Sequence, residues 1–145
     1  MLNQTLLIMK ASTWYKPCFL YVIDLNGMTK FGITVNWQVR KKRYQRDFPN
    51  LPLQEIKLFQ FERRWQAELI EYMMSQRLKR WVAKGRFEWV IELPVRCVLD
   101  CYNQTRPVIE PHFEYASTFH FTGERRYGYY KQLYDMLKGK FEGLM

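Results

Sequence analysis

The sequence is poor in cysteine, with only Cys18, Cys97 and Cys101 in 145 residues. So small and odd a number gives no disulfide framework and fits a reducing compartment. Cys97 and Cys101 with His112 and His120 can be drawn as a zinc site. The Cys-x3-Cys spacing and the seven-residue gap between the histidines, however, match no tight metal-binding loop. There is no run of about eighteen apolar residues, so no membrane span is expected. The short apolar stretch from Leu6 to Met9 lacks the basic front and long apolar middle of an export signal. No internal repeat and no low-complexity linker occurs. Acidic residues are also scarce, 14 against 23 Lys and Arg, which leaves a net charge of +9.

What is present is apolar and aromatic. Hydrophobic residues make up 48% and aromatic residues 17%, enough for a core and too much for a disordered chain. A basic excess on a domain this small points to a polyanionic partner, most simply nucleic acid, although solvated charge gives the same count. The length suits one principal domain with an appendage. Residues 1–16 read as a lead-in, 17–93 as the domain, and 94–145 as an extension that packs on it or helps bind nucleic acid.

The strongest local signal is Asn26-Gly27 between two β-prone runs, a hairpin turn in which both positions take positive φ. A two-residue loop there fixes the register. Leu25 pairs with Met28, Asp24 with Thr29, Ile23 with Lys30, Val22 with Phe31, and Tyr21 with Gly32. Alternation then puts Tyr21, Ile23, Lys30 and the bare Gly32 on one face, so the Tyr21 ring has room beside a residue without a side chain. Asn36 is a good N-cap for a helix over residues 37–46, which carries Arg40, Lys41, Lys42, Arg43 and Arg46. A third strand is predicted at 54–61, a long helix at 63–82 and a strand at 87–93. Further strands are predicted at 96–102 and 113–120, and a helix rich in Tyr and Lys/Arg at 124–139. The fold class expected is α+β, a small and mainly antiparallel sheet flanked by helices, with a C-terminal β/α extension.

On a helical projection of 63–82, Ala67, Ile70, Met74, Leu78 and Trp81 form one stripe, with Glu71 at its edge and Glu68 further round, nearer solvent. A carboxylate beside core positions needs compensation, from a metal, a catalytic Arg, or simple pairing with Arg64 or Arg80.

Taken together, these pieces resemble the GIY-YIG nuclease family over roughly residues 17–93. Phe19-Leu20-Tyr21 is similar to the first motif and Lys30-Phe31-Gly32 to the second. Gly32-Ile33-Thr34 leads through Asn36 to the helical Arg40 with the family's spacing. Ala67-x-x-x-Glu71-x-x-Met74 resembles the acidic helix, and Phe87-Glu88-Trp89 a strand that closes one branch of the family. The departures are Lys30 in place of the second-motif Tyr, Tyr44 where a His stands one turn after the Arg, and no evident Asn after the acidic residue.

The resemblance implies a metal-dependent endonuclease that hydrolyses DNA, with one Mg2+ or Mn2+ ion held by Glu71 and waters. Glu68 is the rival ligand one turn earlier. In this scheme Tyr21 is the general base or positions the water. An ordinary phenol titrates near 10, so the base role requires a cation close by. Arg40 forks onto the scissile phosphate and Lys30 adds a point charge. Lys41, Lys42, Arg43 and Arg46 would track backbone phosphates. On the C-terminal helix Arg125, Arg126 and Lys131 are interleaved with Tyr127, Tyr129, Tyr130 and Tyr134, either to grip a strand and stack bases or to pack the helix. One site per chain nicks one strand, so double-strand cleavage implies a homodimer or a second visit. The compartment implied is the cytoplasm, bacterial or that of a phage host. The alternative is a non-catalytic nucleic-acid or protein-binding module on the same scaffold.

Overall fold

The computed structural model describes residues 13–82 and 90–141. The predicted strand at 87–93 lies outside them apart from its end, as does all of the lead-in before Thr13. The chain is α+β, with a four-stranded antiparallel sheet flanked by helices. The strands are β1 (Cys18–Leu25), β2 (Met28–Thr34), β3 (Leu53–Phe61) and the short β4 (Val90–Ile91), in the order β3-β1-β2-β4.

The β1–β2 register is the expected one, pair for pair from Leu25↔Met28 to Tyr21↔Gly32. Asn26 (φ 53°) and Gly27 (φ 83°) both take the left-handed conformation the two-residue turn demands. The Asp24 carboxylate accepts the Gly27 amide at 2.6 Å and closes the loop. β1 is the central strand and is buried on both faces. Leu20 and Val22 join one cluster with helices α2 and α3 (Arg64–Arg77 and Val95–Ile109), while Tyr21 and Ile23 join a smaller one with Trp37. Trp37 opens helix α1 (Trp37–Asp47), which starts where Asn36 Oδ1 caps the Val39 amide at 3.2 Å.

The predicted strands at 96–102 and 113–120 are corrected. Residues 95–109 form helix α3, a 3-10 turn leads into the single helical turn α4 (Phe113–Ala116), and another 3-10 stretch (Phe119–Arg125) leads to helix α5 (Arg126–Leu137). The buried residues of α3 are Val98, Cys101, Tyr102, Thr105 and Ile109. That spacing is a helical stripe, and it prevails over the β-branched composition that suggests a strand. The extension has no separate core. Val98, Tyr102, Phe119, Tyr130, Leu133 and Leu137 are buried in the same cluster as Leu20, Val22, Ile70 and Met74. Among the described residues no helix is long and apolar enough to cross a membrane.

Candidate active site

The hairpin builds one wall of a cavity of about 420 Å³ lined by Tyr21, Gly32, Ile33, Arg40, Tyr44 and Glu71, among others. These residues come from β1, β2, α1 and α2, so three separate parts of the sequence converge there. Tyr21 occupies the space Gly32 leaves open. A Cβ on Gly32 would stand 2.6 Å from the Tyr21 hydroxyl oxygen and 2.9 Å from Cζ, distances no real side chain adopts. The Tyr21 ring also packs on Trp37, with centroids 5.1 Å apart, so its orientation is set on both sides.

Arg40 and Tyr44 stand one turn apart on α1 and both reach the Tyr21 hydroxyl. Arg40 Nη1 donates to it at 3.2 Å, and the two phenol oxygens lie 2.8 Å apart. Burial, with the neighbouring Tyr21, drives the Tyr44 titration well above the ordinary phenol range. Either phenol can donate in that pair, and the Tyr21 oxygen accepts from Arg40. Sequence reasoning registers Tyr44 only as a departure from the family pattern. The signal that identifies it is the i, i+4 spacing from Arg40, which puts both residues on one face of the helix.

Glu71 enters the cavity from α2. Its carboxyl is pushed up to about 7, first by burial and then by the like charge of Glu68, against the opposing pull of Arg40 and Arg64. No cation lies within ion-pair distance of it among the described residues. The predicted pairing with Arg64 or Arg80 does not form, because those guanidinium groups lie over the rings of Trp14 and Trp81, at 4.6 and 4.2 Å.

Glu68 was expected nearer solvent and is instead buried. Arg126 of α5 donates to both its oxygens, at 2.5 and 3.3 Å, and the Tyr130 hydroxyl donates at 3.0 Å. That carboxylate is committed to holding α5 on α2, which leaves Glu71 as the one facing the cavity from this helix.

Two predicted contacts are corrected. Lys30 is only 1% exposed, and its ammonium lies 4.9 Å from the Phe48 ring and 5.3 Å from the Tyr44 ring. Burial brings its titration down to about 8. It sits behind the wall that Tyr44 and Phe48 form and does not reach into the cavity. Arg126 was expected to be available to nucleic acid, but it is enclosed by its pair with Glu68 because a buried carboxylate requires such a partner.

The other predicted basic residues divide. Arg43 lines the cavity and Lys42 is exposed. Lys41 pairs with Glu55 at 3.7 Å, Arg46 with Asp47 at 3.2 Å and Lys131 with Asp135 at 2.9 Å, all at the surface where such pairs are weak. Arg125 is exposed. Of the tyrosines on α5, Tyr130 packs, whereas Tyr127 and Tyr129 are largely exposed. Among the described residues no three His, Cys, Asp or Glu side chains come together as a metal cluster, and the carboxylates lining the cavity are Glu71 and Asp47.

Comparison with protein-family models, with curated proteins and with solved structures finds no match to this chain.

Proposed function

We propose that this chain is a metal-dependent endonuclease of the GIY-YIG kind, hydrolysing phosphodiester bonds in DNA in the cytoplasm. The observation that carries the reading is the convergence of Tyr21, Arg40 and Glu71 on one cavity, with the Glu71 carboxylate outside any ion pair among the described residues. A tyrosine, an arginine and an acid on three different elements are what phosphodiester hydrolysis requires, namely a group to handle the water, a fork for the phosphate and an anchor for a cation.

A hard divalent ion, Mg2+ or Mn2+, suits the donor set. It accepts sparse protein ligation with water completing its shell. It would also relieve the cost that burial and Glu68 impose on ionised Glu71. When bound, the ion supplies Lewis-acid stabilisation of the developing negative charge.

The chain's own residues supply the remaining functions. Glu71 would hold the cation. Arg40 neutralises charge on the phosphate while its bond to Tyr21 orients the phenol. Tyr21 positions the attacking water and takes its proton, helped by the Arg40 hydrogen bond its oxygen accepts. Tyr44 is a positioning residue that holds Tyr21. Lys30 acts through Tyr44 and Phe48, adding positive potential behind the wall.

The test is incubation of the purified full chain with supercoiled plasmid and with single-stranded DNA, in Mg2+, in Mn2+ and in chelator. Metal-dependent nicking or cutting that disappears in Arg40→Ala and Glu71→Gln is the expected result. An absence of cleavage on any DNA or RNA would leave a binding module on this scaffold.

A further inference from the structure

Where α5 meets α2 stands a row of cations and rings that the proposed cleavage does not use. Arg64 lies 4.6 Å from the Trp14 ring, Arg126 lies 4.9 Å from the same ring, and Arg126 lies 4.4 Å from the ring of Tyr127. Tyr72 continues the row with a centroid 6.4 Å from that of Tyr127. Four acceptors fix Arg126 in place: both Glu68 oxygens, the Gly123 carbonyl and the Tyr127 hydroxyl. The shelf is therefore built before anything binds.

Tyr127 is the exposed ring of the row, with Arg126 against it and the rings of Tyr72 and Tyr130 at 6.4 and 5.9 Å. The packing face of α5 is Tyr130, Leu133 and Leu137, all buried, whereas Tyr127 is 45% exposed. Arg126 pairs with Glu68 of α2, and the Tyr127 ring lies 6.4 Å from that of Tyr72, the residue after Glu71, so the shelf lies against the stretch of α2 that carries Glu71.

We propose that Tyr127, backed by Arg126 and Trp14, is a stacking shelf for an unpaired nucleobase next to the cleaved phosphate, and that the preferred substrate is accordingly a single strand or a strand with unpaired bases. The placement of that phosphate rests on the nuclease reading; the shelf itself does not. An exposed aromatic ring held against a guanidinium offers a flat π-face. Every base can use such a face, but only once it has left a duplex stack. The charge of the whole chain suits the same occupant: the net charge is +9, which favours a polyanionic strand.

The experiment is a fluorescence-anisotropy titration of the full chain carrying Glu71→Gln. The probes are a labelled single-stranded oligothymidylate and a labelled hairpin duplex of equal charge. Adding Tyr127→Ala is expected to weaken single-strand binding by about tenfold, within the range for loss of one stacked base. It should leave duplex binding within about twofold. Tyr127→Phe keeps the ring and is expected to keep the affinity, and Tyr127→Trp to raise it. Equal losses on both probes, or no loss on the single strand, would overturn the shelf. Single-strand binding lost in Tyr127→Phe as well would overturn the stacking mechanism in favour of a role for the hydroxyl. A wild-type chain that cleaves nothing yet shows the Tyr127 effect removes the nuclease reading and leaves the shelf standing. Cleavage of single strands with unchanged KM in Tyr127→Ala does the reverse.

Discussion

Glu68 and Glu71 stand less than one turn apart on α2, in nearly the same run of sequence, and have opposite surroundings. Glu68 faces α5, where Arg126 and Tyr130 satisfy both its oxygens. Glu71 faces the hairpin and α1, where it has no ion-pair partner among the described residues and its carboxyl is pushed up to about 7. The first is a buried charge compensated from within the chain and so a structural device. The second has only the more distant pull of Arg40 and Arg64, and under the proposed function a cation would complete its compensation. A helix can thus carry glue on one side and line a cavity on the other.

The largest expected effect tests that division directly. Glu71→Gln should lower metal-dependent nicking by about 10³-fold or more in a plasmid assay, as loss of a principal charge-stabilising group does. Glu68→Gln should leave nicking within the same order of magnitude. A reversal of the two would move the metal one turn along the helix. Next, Gly32→Ala should displace Tyr21 and lower cleavage by about 10²-fold, the order that misplacing a reactive group by about 1 Å produces. Circular dichroism should meanwhile show the fold retained.

On the structural side, Arg126→Met strands the Glu68 carboxylate. It is expected to cost about 3–5 kcal/mol of stability, read as a fall of roughly 10 °C in Tm for a chain of this size.

The smallest effect concerns pH. The folded-state titration of Glu71 lies above its ordinary value, so the native chain holds that proton more tightly than the unfolded chain. Stability associated with this group is then present below about pH 4.5 and lost as pH rises to about 7. Glu71→Gln should therefore be more stable than wild type at pH 8, by on the order of 1–2 kcal/mol, and close to it at pH 4. Mg2+ should close that gap in the wild type by raising its Tm at pH 8, and should leave the variant unmoved.

How much of this could be read from the sequence follows the range of the interactions. The hairpin is local, and Asn26-Gly27 with two-residue alternation fixes its register and the meeting of Tyr21 with Gly32. Arg40 and its cap at Asn36 are local as well. The fate of Glu68 was not legible, because it depends on Arg126, a residue from the far end of the chain that no periodicity connects to α2. Lys30 was correctly placed on the Tyr21 face, but its depth depends on how Tyr44 and Phe48 close over it. The helix predicted at 124–139 is present as α5, whereas 96–102 reads as a strand because Val98, Leu99 and Tyr102 satisfy a β composition and a helical period at once. Packing against α2 and β1 favoured the helix.

The two-residue turn also orders events in time. Tyr21 and Gly32 meet across a short loop, so little chain entropy opposes their contact, and hairpins of this kind close in about 1–10 μs. Glu71 arrives only when β3 has crossed to the far edge of β1 and α2 has docked on the opposite face, contacts that close much longer loops. The phenol is thus expected to be seated before its acidic partner. A chain halted between the two steps would carry a formed hairpin without Glu71 and, under the proposed function, would leave any strand it met uncut.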